Sequence, residues 1–388
     1  MKKLATTAVA VFTLFTTTPA LAKSTLGGIV FTDFYVLSQD KESRVYSTGN
    51  PNAESRTVSH IEVPNMSRLR ARWSNEDEVG MYMELGIGGS QGSTGVKLRH
   101  AYGTWNISQT WQLMGGHSTS PFSPLFPSQT IGNNADESFN IGKGYGEISS
   151  GRAPQVRLTY KFMNRRGAFA IALLDPNRGT ELDLLSTTDK PKKNTLFPRI
   201  DIGMAYRTLN FQIFPSLFYQ RQDYSEVVGS DDSVTSWGAS VGFRGGTGAF
   251  IFSGEVNVGQ NMDNAGLSIG ESPASQNAGA WLDATRTKIA DTDNLSYWLD
   301  IGYKFSGSET QGAVHLVYGT MQSESDDVFD YQSSMLGISV PIDLPWIAKG
   351  FRVRPEIFVY DKGENTIGGT KVDQGQDILT GIQLQYTF

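Results

Sequence analysis

Three arginines alternate with apolar residues in the segment Ser67-Arg68-Leu69-Arg70-Ala71-Arg72-Trp73. Successive side chains of an extended strand point to opposite faces, so the three guanidinium groups would share one face. Guanidinium keeps its charge at physiological pH and binds carboxylates or phosphates through paired hydrogen bonds. Rows of such cations are a usual device for passing anions through a pore. The segment therefore predicts a surface that attracts anions.

Other segments repeat this basic pattern on alternate residues. The further basic residues that we place on the same inner surface are Lys97, Arg99, Arg157, Arg352 and Arg354. The alternative is that lumen acids balance these charges, and the candidates are Glu84, Asp201, Glu255, Asp300 and Glu356. Clustered like charge is unfavourable unless something occupies the space between, so we expect the triple-arginine strand to act on solutes.

Alternation with period two runs along most of the chain. Apolar residues at Val156, Leu158 and Tyr160 alternate with polar ones, and the stretch from Leu295 to Phe305 does the same. Such strands can face lipid on one side and water on the other, as in a transmembrane barrel. An arginine facing lipid near the midplane costs about 2 to 4 kcal/mol. We therefore expect the basic residues to face the lumen.

The connections between these segments are alternately short and long. Short turns are predicted at 75–78, 108–110, 164–167, 208–210, 245–248, 306–311 and 344–350. Longer loops are predicted around 38–59, 91–94, 118–153, 176–198, 224–233, 263–292, 324–329 and 363–375. This alternation predicts an all-β fold: one antiparallel transmembrane barrel of about sixteen strands over residues 23–388, with short periplasmic turns and long extracellular loops.

The longest connection, residues 118–153, is a candidate constriction loop. It carries Pro121, Pro124 and Pro127 among apolar residues, which suits a segment folded into the lumen. We expect its acids, Asp136, Glu137 and Glu147, to face the arginines and produce a transverse field at the narrowest point. The alternative is that the loop packs outside the barrel as a subunit latch or a cap.

Both ends of the chain predict export to an outer membrane. Lys2 and Lys3 precede an apolar run that ends in Ala20-Leu21-Ala22, the pattern of a cleaved signal peptide over residues 1–22. At the other end Ile382, Leu384, Tyr386 and Phe388 lie on one strand face. This ending, with Tyr386 and Phe388, resembles the assembly signal that the barrel-insertion machinery reads in bacterial outer-membrane proteins. Outer-membrane lipid and lipopolysaccharide are then the expected surroundings.

Composition weighs against several other classes of protein. The chain has no cysteine, which excludes disulfides and cysteine-ligated metals, and its four histidines show no metal-binding spacing. Its formal charge is −6, or −8 without Lys2 and Lys3, which argues against nucleic acid as a partner. An outer-membrane phospholipase would be the relevant enzyme class, and we expect a structural role for each histidine instead. We expect no enzymatic activity, no cofactor and no bound metal.

Three stretches resemble Gram-negative porins of the DcaP-like type. These are Lys97-Leu98-Arg99-His100-Ala101-Tyr102-Gly103-Thr104-Trp105, Gly151-Arg152-Ala153-Pro154-Gln155-Val156-Arg157-Leu158-Thr159-Tyr160 and Ile171-Ala172-Leu173-Leu174-Asp175-Pro176. The resemblance implies a homotrimer of sixteen-stranded barrels with a positively charged constriction that suits small anionic solutes such as dicarboxylates.

The sequence therefore predicts a passive outer-membrane channel for small anionic or polar solutes. Two other functions stay open at this point. One is a surface-structural or adhesive barrel whose loops bind a partner and whose lumen is plugged. The other is the barrel sheath of an electron conduit, which would need a haem protein threaded through its lumen.

Overall fold

The fold is a closed antiparallel β-barrel of sixteen strands, as the alternation predicted. The computed structural model describes residues 22–64, 66–75, 78–88, 95–128, 131, 145–148, 151–176, 183–184, 192–195, 197–225, 232–267, 279–282, 288–325, 329–367 and 370–388. The strands are β1 (Ala22–Gln39), β2 (Arg56–Glu62 and Arg68–Asn75), β3 (Val79–Gly88), β4 (Gly95–Asn106), β5 (Trp111–Thr119), β6 (Arg152–Phe162), β7 (Gly167–Leu174), β8 (Arg199–Arg207), β9 (Phe211–Ser225), β10 (Ser233–Thr247), β11 (Phe250–Gln260), β12 (Asp293–Ser306), β13 (Gln311–Ser325), β14 (Phe329–Ser339), β15 (Phe351–Asp361) and β16 (Gln376–Thr387).

Short strands supplement the barrel wall and the loops. Ile342–Asp343, Glu364–Ile367, Thr370–Asp373 and Lys192–Lys193 extend the wall. Asp183–Leu184, Trp281–Leu282 and Ile289–Ala290 form a separate three-stranded sheet that joins two of the long connections.

The last strand closes the barrel by pairing with the first. Strands β16 and β1 are antiparallel, with Gln383 opposite Asp33 in the ladder. The backbone N–H of Phe388 donates to the carbonyl of Gly28 over 3.1 Å. A Cβ at Gly28 would lie 2.5 Å from the Phe388 ring, so glycine permits this close approach. Closure leaves no open sheet edge in the hydrocarbon region.

Side chains alternate across the wall as the sequence predicted. On β12 the outward residues Leu295, Leu299 and Ile301 are exposed, whereas Trp298 and Asp300 between them are buried inside the barrel. On β16, Ile382 and Tyr386 are exposed on the outer face and Gln383 is buried on the inner one. The two faces thus separate an apolar belt from a polar interior, which confirms the predicted transmembrane fold.

Three local features differ from uniform strands. Strand β2 is interrupted between Glu62 and Arg68, and a bulge shifts the β3–β4 register between Glu84 and Leu85. The first loop contains a short helix, α1 (Lys41–Thr48), whose first turn is capped by the side chain of Asp40. None of the helices in the described residues has the length and apolarity needed to cross a membrane.

Three buried polar side chains link the first loop to the last. Ser43 of α1 donates to Asp377 over 2.5 Å, and Lys362 contacts Ser43 over 3.0 Å and Asp377 over 2.9 Å. All three side chains are almost fully buried. Asp377 is the second residue of β16, and α1 follows β1. These contacts therefore reinforce the pairing of β16 with β1 that closes the barrel.

Candidate pore constriction

Strands β2, β4 and β6 present basic side chains to the lumen, and we call this set of residues the arginine wall. Its members are Arg68, Arg70, Arg72, Lys97, Arg99, Arg152 and Arg157. Their apolar neighbours Leu69, Leu98 and Leu158 are exposed on the outer face, which places the basic residues on the inner one. From Arg68 to Asn75 and through β3, β4, β5 and β6, the only carboxylate within the strands is Glu84. The arginine wall therefore carries a large excess of positive charge.

Glu84 organises the centre of the arginine wall. Its carboxylate accepts a hydrogen bond from Arg99 Nε at 2.7 Å and lies 3.6 Å from Arg68 Nη1. The Tyr82 hydroxyl donates to the other oxygen over 2.7 Å. Two arginines and a phenol thus share one carboxylate. Its single negative charge holds both guanidinium groups in place but balances only one of their two positive charges.

The β3–β4 bulge brings two consecutive side chains to the lumen. Arg99 is the extra residue, because His100 stands opposite Glu84 and Leu98 stands opposite Leu85. His100 Nδ1 lies 3.1 Å from the Ser118 hydroxyl, and Arg152 Nε donates to His100 Nε2 over 3.1 Å. In a catalytic triad the serine contacts one imidazole nitrogen and a carboxylate accepts a hydrogen bond from the other. Here a guanidinium group, and not a carboxylate, contacts the second nitrogen, so this Ser–His contact does not have triad geometry.

The remaining wall arginines contact neutral groups. The Arg72 guanidinium lies 5.7 Å from the centre of the Tyr82 ring, and Arg157 reaches Met114 Sδ at 3.0 Å and the Thr119 carbonyl. Among the described residues neither Arg70 nor Arg72 forms an ion pair. Among the described residues, no acid therefore balances the positive charges of Arg70 and Arg72.

The two basic residues of β15 are engaged elsewhere. Arg352 makes a two-pronged pair with Asp343 at 2.7 and 2.9 Å. Arg354 donates to the carbonyl of Ser128 over 3.1 Å, and its charged neighbours are acids and Arg352. Both lie on the inner face, but their partners are a wall acid and the 118–153 connection.

The described part of the 118–153 connection lies against the inner wall opposite the arginine wall. Ser123 donates its N–H to Ser216 Oγ over 3.2 Å and its hydroxyl to Glu255. Further along, the Ser128 N–H donates to Asp300 over 2.8 Å and the Ile131 N–H donates to Glu356 over 2.8 Å. Three wall acids that could have neutralised arginines instead hold this connection in place.

Apolar packing inside the barrel supports these hydrogen bonds. Leu125, Ile131 and Tyr145 of the connection are buried against inward-facing residues of the wall, namely Tyr35, Leu37, Trp298, Val317, Met335, Phe358, Tyr360 and Leu379. Gly146 has φ of +106°, and a Cβ there would lie 2.2 Å from the carbonyl oxygen of Tyr297. The close approach requires glycine, and it presses the connection onto β12.

A second connection also enters the lumen, which the sequence did not predict. The turn at Met262–Ala265, between β11 and β12, packs with Phe122 and Ile148 in one buried cluster. Arg199 Nη1 donates to the Ala265 carbonyl over 2.6 Å while its guanidinium also pairs with Asp201 at 2.7 Å. Two packed segments therefore lie inside the lumen beside β8–β14.

The predictions for the three acids of the 118–153 connection have different outcomes. Asp136 and Glu137 lie outside the described residues. Glu147 is buried beside Glu255, away from the arginine wall, and burial together with the Glu255 charge raises the pKa of Glu147 to about 8. The placement differs from the expectation that Glu147 faces the arginines. Of the five lumen acids considered, Glu84 contacts the predicted site arginines Arg68 and Arg99 directly, and the charge of Glu356 acts on Arg354.

Sequence reasoning missed three members of the site. Arg152 stood in the stretch 151–160 but two residues before a proline and outside the alternating core of the strand. His100 would face lipid in a regular strand, and only the bulge turns it inward. Tyr82 was read simply as part of the inner face, with no sign of its hydrogen bond to Glu84.

Removing the Glu84 carboxylate should raise the anion preference and weaken the fold. In Glu84→Ala the wall loses its one acid, while Arg99 and Arg68 lose the group that fixes them. Removing one partner of a buried ion pair costs about 3 kcal/mol. Urea unfolding in detergent measures the loss of stability, and the reversal potential in a salt gradient measures selectivity. Tyr82→Phe, which keeps the carboxylate, is the matched control, and an equal change in both variants would contradict this role.

The whole fold is similar to solved outer-membrane channels. The outer membrane channel DcaP of Acinetobacter baumannii superposes with a TM-score of 0.68 at 17% identity, covering 96% of this chain and 99% of that one. An anion-selective porin from Comamonas acidovorans gives 0.60 at 14% identity, covering 95% and 100%. The outer membrane protein OmpT of Vibrio cholerae, in its trimer form, gives 0.55 at 13% identity, covering 95% and 99%.

Comparisons of sequence alone find less. No protein-family model matches the chain, and no curated protein matches it. At identities of 17% and below, the structural likeness establishes the fold and not the solute. The chain thus has the sixteen-stranded barrel fold of the outer-membrane porins, covering almost its full length.

Proposed function

We propose that the protein is an outer-membrane porin, a passive diffusion channel for small hydrophilic solutes that favours anions. The observation that carries this proposal is the asymmetry of the lumen. The arginine wall, with Glu84 as its one acid, faces the interior, while two inserted segments fill the opposite half. Solutes would pass beside the guanidinium groups, which attract anions and release them without chemistry.

The cellular setting belongs to the same proposal. We infer a signal peptide over residues 1–22, insertion by the barrel-insertion machinery with the help of Tyr386 and Phe388, and a final position among outer-membrane lipid and lipopolysaccharide. A homotrimer is inferred from the trimeric form of the similar OmpT. The anion preference agrees with the description of the Comamonas porin as anion-selective. No catalytic step, cofactor or nucleic acid takes part.

The two alternative functions differ from this one in what the lumen must contain. A conduit for a haem protein needs the lumen free, yet the described loop segments pack inside it. A plugged adhesive barrel fits the same packing, because the buried clusters occupy much of the interior. Whether an open passage remains beside the arginine wall decides between a plugged barrel and a channel.

Recording from the purified protein in planar lipid bilayers tests the proposal. We expect discrete conductance steps and, across a salt gradient, a reversal potential of the sign that an anion-selective pore gives. Absence of any conductance from correctly folded protein would favour the plugged barrel. A cation-selective reversal potential would leave the channel in place but contradict the role of the arginine wall.

A further inference from the structure

Two carboxyl groups lie buried together between the 118–153 connection and the inner wall. Glu255 on β11 is fully buried and Glu147 is 8% exposed, and the charge of one acts on the other. Within the described part of the chain, neither forms an ion pair with lysine or arginine. Two adjacent buried carboxylates are costly unless a positive charge or protons compensate them.

Neutral polar side chains lie beside Glu255 on the inner wall. Asn257 lies two residues from Glu255 on the same inner face, and its amide N–H donates to the Glu255 carboxylate. The Asn257 nitrogen donates to Ser296 Oγ on β12 over 3.3 Å, and Ser240 is the residue directly opposite Asn257 on β10. Asn257 Oδ1 and Ser240 Oγ have no hydrogen-bond partner, although these residues are only 1% and 2% exposed.

The chemistry of this donor set is specific. It contains two carboxylates, an amide oxygen and a hydroxyl, with no thiolate or imidazole. Calcium prefers oxygen donors of these kinds and tolerates irregular geometry, whereas magnesium demands a regular octahedron and keeps several waters. Transition metals would favour imidazole or thiolate. Three-carboxylate or histidine clusters do not occur in the described residues, so a calcium ion here would rely on neutral oxygens and water.

We propose that Glu147 and Glu255, together with Asn257 Oδ1 and Ser240 Oγ, bind a calcium ion. The two carboxylates balance its charge, and the ion links the 118–153 connection to β10 and β11. The Ser123 contacts to Ser216 and Glu255 place the connection beside the same site, so the ion would fasten a loop that is already aligned. This site is separate from the arginine wall and does not depend on which solute passes.

The test uses full-length protein refolded into detergent without lipopolysaccharide, because lipopolysaccharide itself binds divalent cations. Hydrogen–deuterium exchange of the peptide covering 120–128 is measured with calcium, with magnesium and with EDTA. We expect calcium alone to slow exchange, by roughly 100-fold when its concentration is about one hundred times its dissociation constant. Isothermal titration calorimetry should find about one calcium ion per chain, as the single donor set implies.

Variants assign the effect to the site. Glu147→Gln and Ser240→Ala, which preserve side-chain size closely, should lose or strongly weaken the calcium-dependent protection. Asp223→Asn, at an exposed residue that pairs with Arg221, is the matched control and should behave as wild type. Protection that persists in Glu147→Gln would overturn the proposal. Protection that changes with pH but not with calcium in the wild type, after correction for the intrinsic pH dependence of amide exchange, would also overturn it, since protons would then compensate the carboxylates. Ion conductance, recorded separately, reports on the porin function alone.

Discussion

Replacement of Arg68, Arg70 and Arg72 by serine should abolish most of the anion preference while leaving the channel open. These residues supply three positive charges to a wall in which, from Arg68 to Asn75 and through β3 to β6, Glu84 is the single acid within the strands. A unit charge at 4 Å contributes about 1 kcal/mol in water, which corresponds to roughly a fivefold change in relative permeability. Each lost arginine therefore matters, and the effect of all three should be larger. The reversal potential in a salt gradient measures it directly.

The matched control removes arginines from outside the lumen. Arg165 and Arg166 lie in the exposed turn between β6 and β7, and Arg221 lies near the exposed extracellular end of β9. Changing these three to serine alters the net charge equally but should leave selectivity unchanged. Single variants refine the assignment: Arg70→Ser should act more strongly than Arg68→Ser, because Arg68 already shares Glu84 with Arg99. Equal selectivity in the triple variant and the wild type would place the selective groups elsewhere.

Strand alternation made the barrel predictable from sequence. Residues such as Val156, Leu158 and Tyr160 must meet lipid because their neighbours are polar, and a one-residue shift would place arginine in hydrocarbon. The short turns were equally clear, since Ser108 to Thr110 and Asn164 to Arg166 interrupt apolar alternation with polar residues. Patterns of this kind depend only on residues that are close in sequence, so a single sequence is enough to recognise them.

The interior could not be predicted in the same way. The bulge after Glu84 turns His100 into the lumen beside Arg99, and nothing in the composition of β4 indicates an extra residue. The contacts of Ser123 with Glu255 and of Ser128 with Asp300 join residues more than one hundred positions apart. Such contacts depend on how a loop crosses the barrel, which a period-two pattern does not contain. The insertion of Met262–Ala265 escaped prediction for the same reason.

Excision of the inserted connection should enlarge the pore. Replacing residues 121–150 by a short glycine–serine linker removes Leu125, Ile131 and Tyr145 from the lumen and frees the wall acids Glu255, Asp300 and Glu356. A sixteen-stranded barrel without inserted segments encloses an open aqueous channel, so single-channel conductance should rise roughly twofold or more. Anion preference should fall at the same time, because the freed carboxylates would face the arginine wall across water.

A milder variant guards against misfolding of the excised protein. Asp300→Ala removes the acceptor for the Ser128 N–H and hydroxyl but leaves the apolar contacts of Leu125 intact. Loss of one such charge-assisted anchor costs about 1.5 to 3 kcal/mol, which should populate an undocked loop and produce fluctuating conductance above the wild-type level. Asp343→Ala, which loses an acid from the Arg352 pair and not from the loop, is the control. Conductance that stays at the wild-type value in both the excised and the Asp300→Ala proteins, with the barrels still folded, would mean that the connection does not limit the pore. The second segment at Met262–Ala265 would then be the next candidate for the narrowest passage.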